Sequence, residues 1–184
     1  MPSLPINTAK TTEAIALLLQ LHQKPMILVH LLKMMYFVDR LFLDRANYSL
    51  TNDDYLGKKS GLIPKHIPEL IQQLRRDGYI EISNYKTGYI TLKRLPKSKV
   101  LADMEIEQIR QVYQQKKDLN PFNLLDWNYD LEFVKNHVRA RRTILITPLD
   151  IMYGLDKTVA DLEIYLKIEP VVLQAKDLSA VYSI

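Results

Sequence analysis

Apolar residues recur at three- and four-residue intervals in several segments of the chain, which predicts a mainly helical fold. A first helix is expected to begin at Thr11 or Thr12, because either hydroxyl can cap a free backbone amide. Pro25 should end or kink that helix.

The next segment, Met26 to Ala46, is apolar around most of the helix circumference, so it is predicted to be a central, buried helix. Most of its polar residues fall on one strip formed by Lys33, Arg40 and Asp44. Asp39 lies off that strip, and its carboxylate would be costly to bury without a hydrogen-bond partner. We expect Asp39 to tie the helix to a neighbouring loop and prefer this interpretation to a catalytic role.

The pattern changes after the central helix. Residues 47–63 are rich in Asn, Asp, Ser and Gly and are predicted to form a loop. A third helix is expected to have Pro64 in its first turn and to end at Asp77-Gly78. Two short alternating runs, Tyr79–Ile82 and Tyr89–Leu92, are predicted to pair as an antiparallel hairpin.

Helical spacing returns at residues 104–117, after Asp103 as a cap, at 122–138, and in short segments after 147. The predicted fold class is mainly α, within α+β: a helical bundle around a buried central helix with a two-stranded antiparallel β-hairpin. We expect residues 1–120 to form the helical domain with the hairpin, and residues 121–184 to form a helical extension packed on it. This extension is apolar enough to cover the core or to dock a second copy, as a homodimer.

The composition is that of a globular protein, with 47% apolar and 25% charged residues. No run approaches the roughly 18 apolar residues needed to span a bilayer, so no membrane partner is expected. The N-terminus lacks the pattern of a secretory signal, and the expected location is cytoplasmic. The absence of cysteine excludes disulfides, thiolate nucleophiles and sulfur-ligated zinc sites.

Histidine offers little for catalysis. No two of the four histidines stand three to five residues apart in one predicted element, and no glycine-rich phosphate loop occurs. Nine residues separate His30 from Asp39, about two and a half helical turns, so direct contact is not expected. We therefore expect no metal, no cofactor and no catalytic residue. The histidines are His22, His30, His66 and His137.

The formal net charge of +4 is distributed unevenly along the chain. Residues 57–99 hold ten basic and three acidic residues, net +7, whereas residues 1–56 are neutral and residues 100–184 carry net −3. Concentrated like charge raises the local potential and the association rate. We expect these basic groups to form an outward surface that meets an anionic partner.

The third helix and the hairpin follow one another in the order of a winged helix, in which a recognition helix enters the major groove of DNA. A DNA-binding transcriptional regulator is therefore one alternative. Another is that the Lys and Arg side chains simply solvate an outer face. The residue types that would reach base edges and phosphates are Lys65, Gln72, Gln73, Arg75 and Arg76 on the helix and Lys86, Lys93 and Arg94 on the hairpin.

The segment Leu31 to Glu81 resembles the Panacea domain, also met as SocA-like or phage-associated proteins. The similarity rests on a Lys-to-Asp-Arg helix, KMMYFVDR at 33–40, then a loop with Thr and Asp at 50–54, then a Gly-Pro element. Here the family's Tyr-Gly-Pro is replaced by SGLIP at 60–64, so the family's turn is not carried over. The matching positions that define the structural motif are Lys33, Tyr36, Asp39, Arg40, Gly61 and Pro64.

Members of that family are antitoxins of toxin-antitoxin pairs, which neutralise a toxin by direct contact, and some resemble adaptors that present the toxin to a protease. The resemblance therefore implies a protein toxin encoded nearby as partner, and protein binding without catalysis. Because many antitoxins also regulate their own promoter, DNA remains a second candidate partner. Tyr85 is expected to be exposed in a polar turn. The predicted partner-binding residues are Lys58, Lys59, Arg75, Arg76, Tyr85 and Lys93.

Overall fold

The computed structural model describes residues 5–58, 61–83, 88–120 and 144–148. It has a mainly helical α+β fold, which confirms the predicted class. The helices are α1 (Thr8–His22), α2 (Leu28–Ala46), α3 (Ile67–Arg76) and α4 (Asp103–Lys116). The strands are β1 (Met26–Ile27), β2 (Tyr55–Lys58), β3 (Gly61–Pro64), β4 (Ile80–Ser83), β5 (Tyr89–Leu92) and β6 (Ile144–Ile146).

Helix α1 begins earlier than predicted. Asn7 is its N-cap, with its side-chain oxygen 3.2 Å from the Lys10 amide. The prediction that Thr11 or Thr12 caps the helix is therefore wrong: the Thr11 hydroxyl donates to the Asn7 carbonyl, 2.6 Å away, and Thr11 is buried. Asparagine is among the preferred N-cap residues, because its short side chain reaches the free amides of the first turn.

The central helix is buried as predicted, but it is shorter. Leu31, Met35, Val38 and Phe42 are fully buried along α2. The two residues predicted to begin the helix form β1 instead, which pairs with β5 through Met26 and Ile90. This distant partner satisfies backbone groups that a helix would otherwise have paired.

Two three-stranded antiparallel sheets flank the helices. The first has the order β1-β5-β4 and contains the predicted hairpin, in the register Ile80 to Leu92. The second has the order β3-β2-β6, so the prediction of a loop through residue 63 is wrong from Tyr55 onward. No strand was predicted at β6, which pairs with β2 through Ile146 and Tyr55.

The helix termini also correct two local predictions. Pro64 is the last residue of β3, and Pro68 occupies the first turn of α3. At α4 the N-cap is Ala102, not Asp103, and the Glu105 carboxylate accepts from the Ala102 amide at 2.9 Å. A carboxylate in this first turn also interacts favourably with the helix dipole.

The order α1, β1, α2, α3, β4, β5, with β1 beside β5, is that of a winged helix. The hairpin β2-β3 is inserted between the second and third helices. The core lies among α1, α2, α3, α4 and the first sheet, where side chains from all of these elements pack together.

The predicted helices at 122–138 and after residue 148 lie outside the described residues. The division at residue 120 stays a prediction. In the part of the chain that the structure describes, no helix is long and apolar enough to cross a membrane.

Candidate partner-binding surface

Helix α3 separates apolar from polar side chains cleanly. Its inner side buries Ile67, Leu70, Ile71 and Leu74. This spacing of three and four residues is that of one face of a helix, which leaves the intervening polar residues on the outer side. The exposed residues are Glu69, Gln73, Arg75 and Arg76, and Gln72 is half-buried.

Arg75 and Arg76 lie in the last turn of α3, where positive charge is favourable beside the helix C-terminus. Both are exposed, and neither forms an ion pair with any residue described in the structure. No described residue therefore competes with a partner for these two guanidinium groups.

Two further cations stand beside this end of α3, and both already have partners. Lys93 forms an ion pair with Glu81, and this bond lowers the pKa of the Glu81 carboxyl. The Arg94 guanidinium lies 4.2 Å from the centre of the Tyr79 ring and donates to the Asp77 carbonyl. We call Arg75, Arg76, Lys93 and Arg94 the basic corner.

The structure places only part of the predicted partner-binding set. Arg75, Arg76 and Lys93 meet at the basic corner, but Lys93 is matched by a neighbouring acid and is not free. Lys58 ends β2, and nothing is described of its side chain. Lys59 and Tyr85 lie outside the described residues, as does Lys86. Lys65 approaches Asp54 at 3.8 Å, so it too is partly matched.

A buried carboxylate joins α2 to the loop that follows it. Asp39 is fully buried and accepts hydrogen bonds from the Thr51 amide at 3.0 Å, the Thr51 hydroxyl, and the Tyr55 hydroxyl at 2.6 Å. Burial raises the pKa of Asp39, whereas these bonds act in the opposite direction. The expectation that Asp39 ties the central helix to a loop is confirmed.

The same loop holds the start of α3. The Asp53 carboxylate accepts from the backbone amides of His66, at 3.0 Å, and Ile67, at 2.9 Å. It also lies 2.7 Å from Nδ1 of the His66 ring. The Asp53 amide in turn donates to the Thr51 hydroxyl at 3.0 Å. A continuous set of hydrogen bonds, the Asp39–Asp53 network, thus runs from α2 to the N-terminus of α3.

Sequence reasoning found Asp39 but missed the roles of Thr51, Asp53 and Tyr55. Asp53 stands 14 residues before Ile67 in the chain, whereas capping rules look for a side chain within one turn of the helix start. The sequence pointed to these residues only through the family resemblance, which includes a loop with Thr and Asp.

The other motif positions lie on α2 and β3. Tyr36 is buried, and Lys33 is only 1% exposed, which lowers its pKa through burial. The predicted polar strip is therefore not uniformly exposed, because only its later members reach solvent, where Arg40 pairs with Asp44 at 3.0 Å. Gly61 and Pro64 are the two ends of β3.

Two of the described histidines pack against each other. His22 and His30 meet edge to face, with ring centres 6.1 Å apart, and His22 also contacts Tyr113. Burial lowers the pKa of both histidines. Among the described residues, no group of three or more His, Cys, Asp or Glu side chains could hold a metal ion.

The chain matches the family model "Antitoxin SocA-like, Panacea domain" over residues 31–132. This range is more than half of the chain and runs from α2 past the end of α4, so the protein belongs to the SocA-like Panacea antitoxin family. No curated protein and no solved structure matches it.

Proposed function

We propose that this protein is an antitoxin that binds a cognate protein toxin directly and neutralises it in the cytoplasm, without catalysis of its own. The observation that supports the proposal is membership of the antitoxin family over residues 31–132. An antitoxin of this kind acts through a surface whose side chains contact the toxin.

The basic corner is the best supported part of that surface. Arg75 and Arg76 are exposed, carry no ion pair among the described residues, and sit on a helix fixed by its buried face. Arginine is enriched at protein interfaces, and complementary charge speeds association with an acidic partner. We propose that an acidic patch of the toxin docks here. The full proposed contact set is Lys58, Lys59, Arg75, Arg76, Tyr85 and Lys93.

The disposition of the acidic groups is consistent with a role in binding rather than catalysis. Asp39 is fully buried and bonded to hydroxyl and amide donors, so its carboxylate has no open side for a substrate. Asp53 is committed to the backbone amides that begin α3. Both carboxylates therefore support the fold of the surface.

Co-expression with the product of the adjacent gene tests the proposal. The wild-type chain should restore growth to cells that produce the toxin and should retain the toxin in a pull-down. Reversing both free charges, Arg75→Glu with Arg76→Glu, should weaken capture by about tenfold or more, since each close charge pair at an interface is worth over 1 kcal/mol.

A matched control reverses the charge of Arg45 and Arg110 instead. These arginines are also exposed, and they lie on α2 and α4 rather than on α3 or its hairpin. The control should capture the toxin like the wild type. If variants at all six proposed contact residues leave capture unchanged, with charges reversed and Tyr85→Ala, the toxin docks elsewhere. If no toxic neighbour is found that the wild-type chain neutralises, the antitoxin function itself is wrong.

An adaptor role is a finer form of the same proposal. A protein that delivers the toxin to a protease should shorten the toxin's half-life in cells, whereas simple sequestration should lengthen or preserve it. Pulse-chase measurement of the toxin, with and without the antitoxin, separates the two. Gel filtration of the purified chain in the same preparation tests the predicted homodimer.

A further inference from the structure

We propose that the outer side of α3 and the adjoining hairpin β4-β5 form a binding site for duplex DNA, with α3 in the major groove. This inference does not depend on toxin binding. It starts from the winged-helix order of the elements, in which β1 completes a three-stranded sheet with the hairpin. In helix-turn-helix proteins the recognition helix contacts base edges while flanking elements contact the backbone.

The structure fixes the hairpin against α3. Only Asp77, Gly78 and Tyr79 separate the helix from β4, and the Tyr79 amide donates to the Leu74 carbonyl at 2.9 Å. Gly78 adopts φ +73, a conformation that L side chains rarely adopt. The Arg94 guanidinium packs against the Tyr79 ring and donates to the Asp77 carbonyl, which holds the base of the hairpin against the end of α3. A ligand would therefore meet the helix and the base of the hairpin in one fixed arrangement, which lowers the entropic cost of binding.

The dimensions and side chains of α3 suit a major groove. Ten residues give a helix of about 15 Å, and the groove, about 12 Å wide, admits an α-helix. Gln72, Gln73 and Arg76 project from the outer side at helical spacing. Glutamine pairs with adenine and arginine with guanine through two hydrogen bonds each. Glu69 stands on the same side, and a glutamate can accept from cytosine.

The charges are arranged to suit such a ligand. Arg75 flanks the outer stripe of α3, and Lys93 and Arg94 lie at the end of β5 beside it. Cations beside a helix in the groove would face phosphates, which supply much of the affinity of proteins for DNA. Glu81 partly offsets Lys93, so Arg75 and Arg76 should carry the largest share.

The test uses the full chain and a labelled 30-base-pair duplex of mixed sequence, followed by fluorescence anisotropy at 50 mM and 200 mM NaCl. Binding should weaken steeply with salt. Arg75→Gln with Arg76→Gln removes two cations, and it should reduce the slope of log K against log salt by about 0.9 for each phosphate that they neutralise, up to about 1.8. The matched variant, Arg45→Gln with Arg110→Gln, has the same net charge and should keep the wild-type slope.

A second variant separates base reading from charge. Selection from a random duplex library should yield a preferred sequence, and Gln72→Ala with Gln73→Ala should reduce the preference for it over mixed duplex by between roughly fivefold and a hundredfold. Its salt slope should not change. Circular dichroism confirms that each variant is folded.

Three results would overturn the proposal. The first is no anisotropy change at 50 mM NaCl. The second is an equal loss of affinity in the Arg45 and Arg110 variant, which would indicate attraction by net charge alone. The third is a wild-type chain that does not bind DNA, together with an Arg75 and Arg76 variant that no longer captures the toxin. That result would assign this side of α3 to a protein partner.

Discussion

Replacing Asp39 with alanine tests whether the Asp39–Asp53 network holds the fold together. The substitution removes the acceptor of three hydrogen bonds in a fully buried site and leaves the Thr51 amide, the Thr51 hydroxyl and the Tyr55 hydroxyl without it. Each buried donor left unsatisfied costs about 1–3 kcal/mol. We expect a loss of at least about 3 kcal/mol, a large share of a total stability of about 5–15 kcal/mol.

Urea denaturation followed by circular dichroism measures this loss, and the thermal midpoint should fall by at least about 6 °C for a chain of this size. Asp44→Ala is the matched control, since it makes the same change on the same helix. Asp44 is half exposed and pairs with Arg40 across one turn, so its loss should cost about 0.5 kcal/mol or less. An Asp39→Ala variant within about 1 kcal/mol of the wild type would refute the reasoning.

Asp39→Asn refines the test through pH. The amide keeps one oxygen for the Thr51 amide and can donate to the hydroxyl oxygens, so it should cost less than alanine. Burial raises the pKa of Asp39 above its ordinary 3.8. The folded chain therefore holds this proton more tightly than the unfolded chain, and the wild type should lose stability as pH rises from below 3.8 through the raised pKa. Relative to the asparagine variant, the wild type should be most stable at the acid end of this window. The reverse trend would contradict the assignment.

Three further substitutions test other parts of the structure. Asp53→Ala removes the cap of α3, so it should lower the free energy of unfolding by about 1–2 kcal/mol and speed amide hydrogen exchange in that helix. Asp77→Ala, at the exposed C-terminal end of α3, should do neither. Ile146 is the fully buried residue of β6, and Ile146→Ala should lower the free energy of unfolding by about 2–5 kcal/mol. An equal loss from Leu145→Ala, at a half-exposed position, would disprove the packing of this strand against the core. Burial would raise the pKa of Glu105, but its bonds to Lys10, Ala102 and Tyr48 outweigh burial and lower it. The advantage of the wild type over Glu105→Gln should therefore shrink as pH falls from 4.5 through the lowered pKa, and a constant difference would argue against it.

The elements that the sequence predicted correctly are those whose pattern is local. Helix α2 is apolar on nearly all sides, and the hairpin β4-β5 joins two alternating runs that are close in the chain. In both cases a window of about twenty residues contains the whole signal, so periodicity alone locates the element.

The missed elements depend on distant partners. Strand β1 has two residues and is recognisable only beside Ile90, and β6 has three residues and pairs with Tyr55. Strands of two or three residues are too short to show the alternation of apolar and polar residues that predicts a strand, and tertiary context decides their backbone pairing. Between Tyr55 and Leu62 the sequence is rich in glycine, lysine and serine, which is typical of a loop, although Tyr55 and Leu62 are fully buried.

The candidate surface was predicted in part for the same reason. Charge can be counted along a chain, and the exposed Arg75 and Arg76 do lie on an outward helix side. Which of these charged side chains form ion pairs or ring contacts cannot be counted along the chain in that way. Lys93 meets Glu81 only because the two strands adjoin, and Arg94 meets Tyr79 only because the hairpin folds back on α3.

The network also decides how loss of binding should be interpreted. Because Asp39 acts on α3 through Thr51 and Asp53, a change at Asp39 should displace α3 and weaken any partner bound there without touching it. Arg76 is exposed, and its substitution should alter stability by no more than about 0.5 kcal/mol. Loss of binding with unchanged unfolding free energy therefore identifies a contact residue, whereas loss of both identifies the support behind it. A partner that occupies α3 should therefore respond to both Asp39 and Arg76, whereas a partner bound elsewhere should not respond to Arg76.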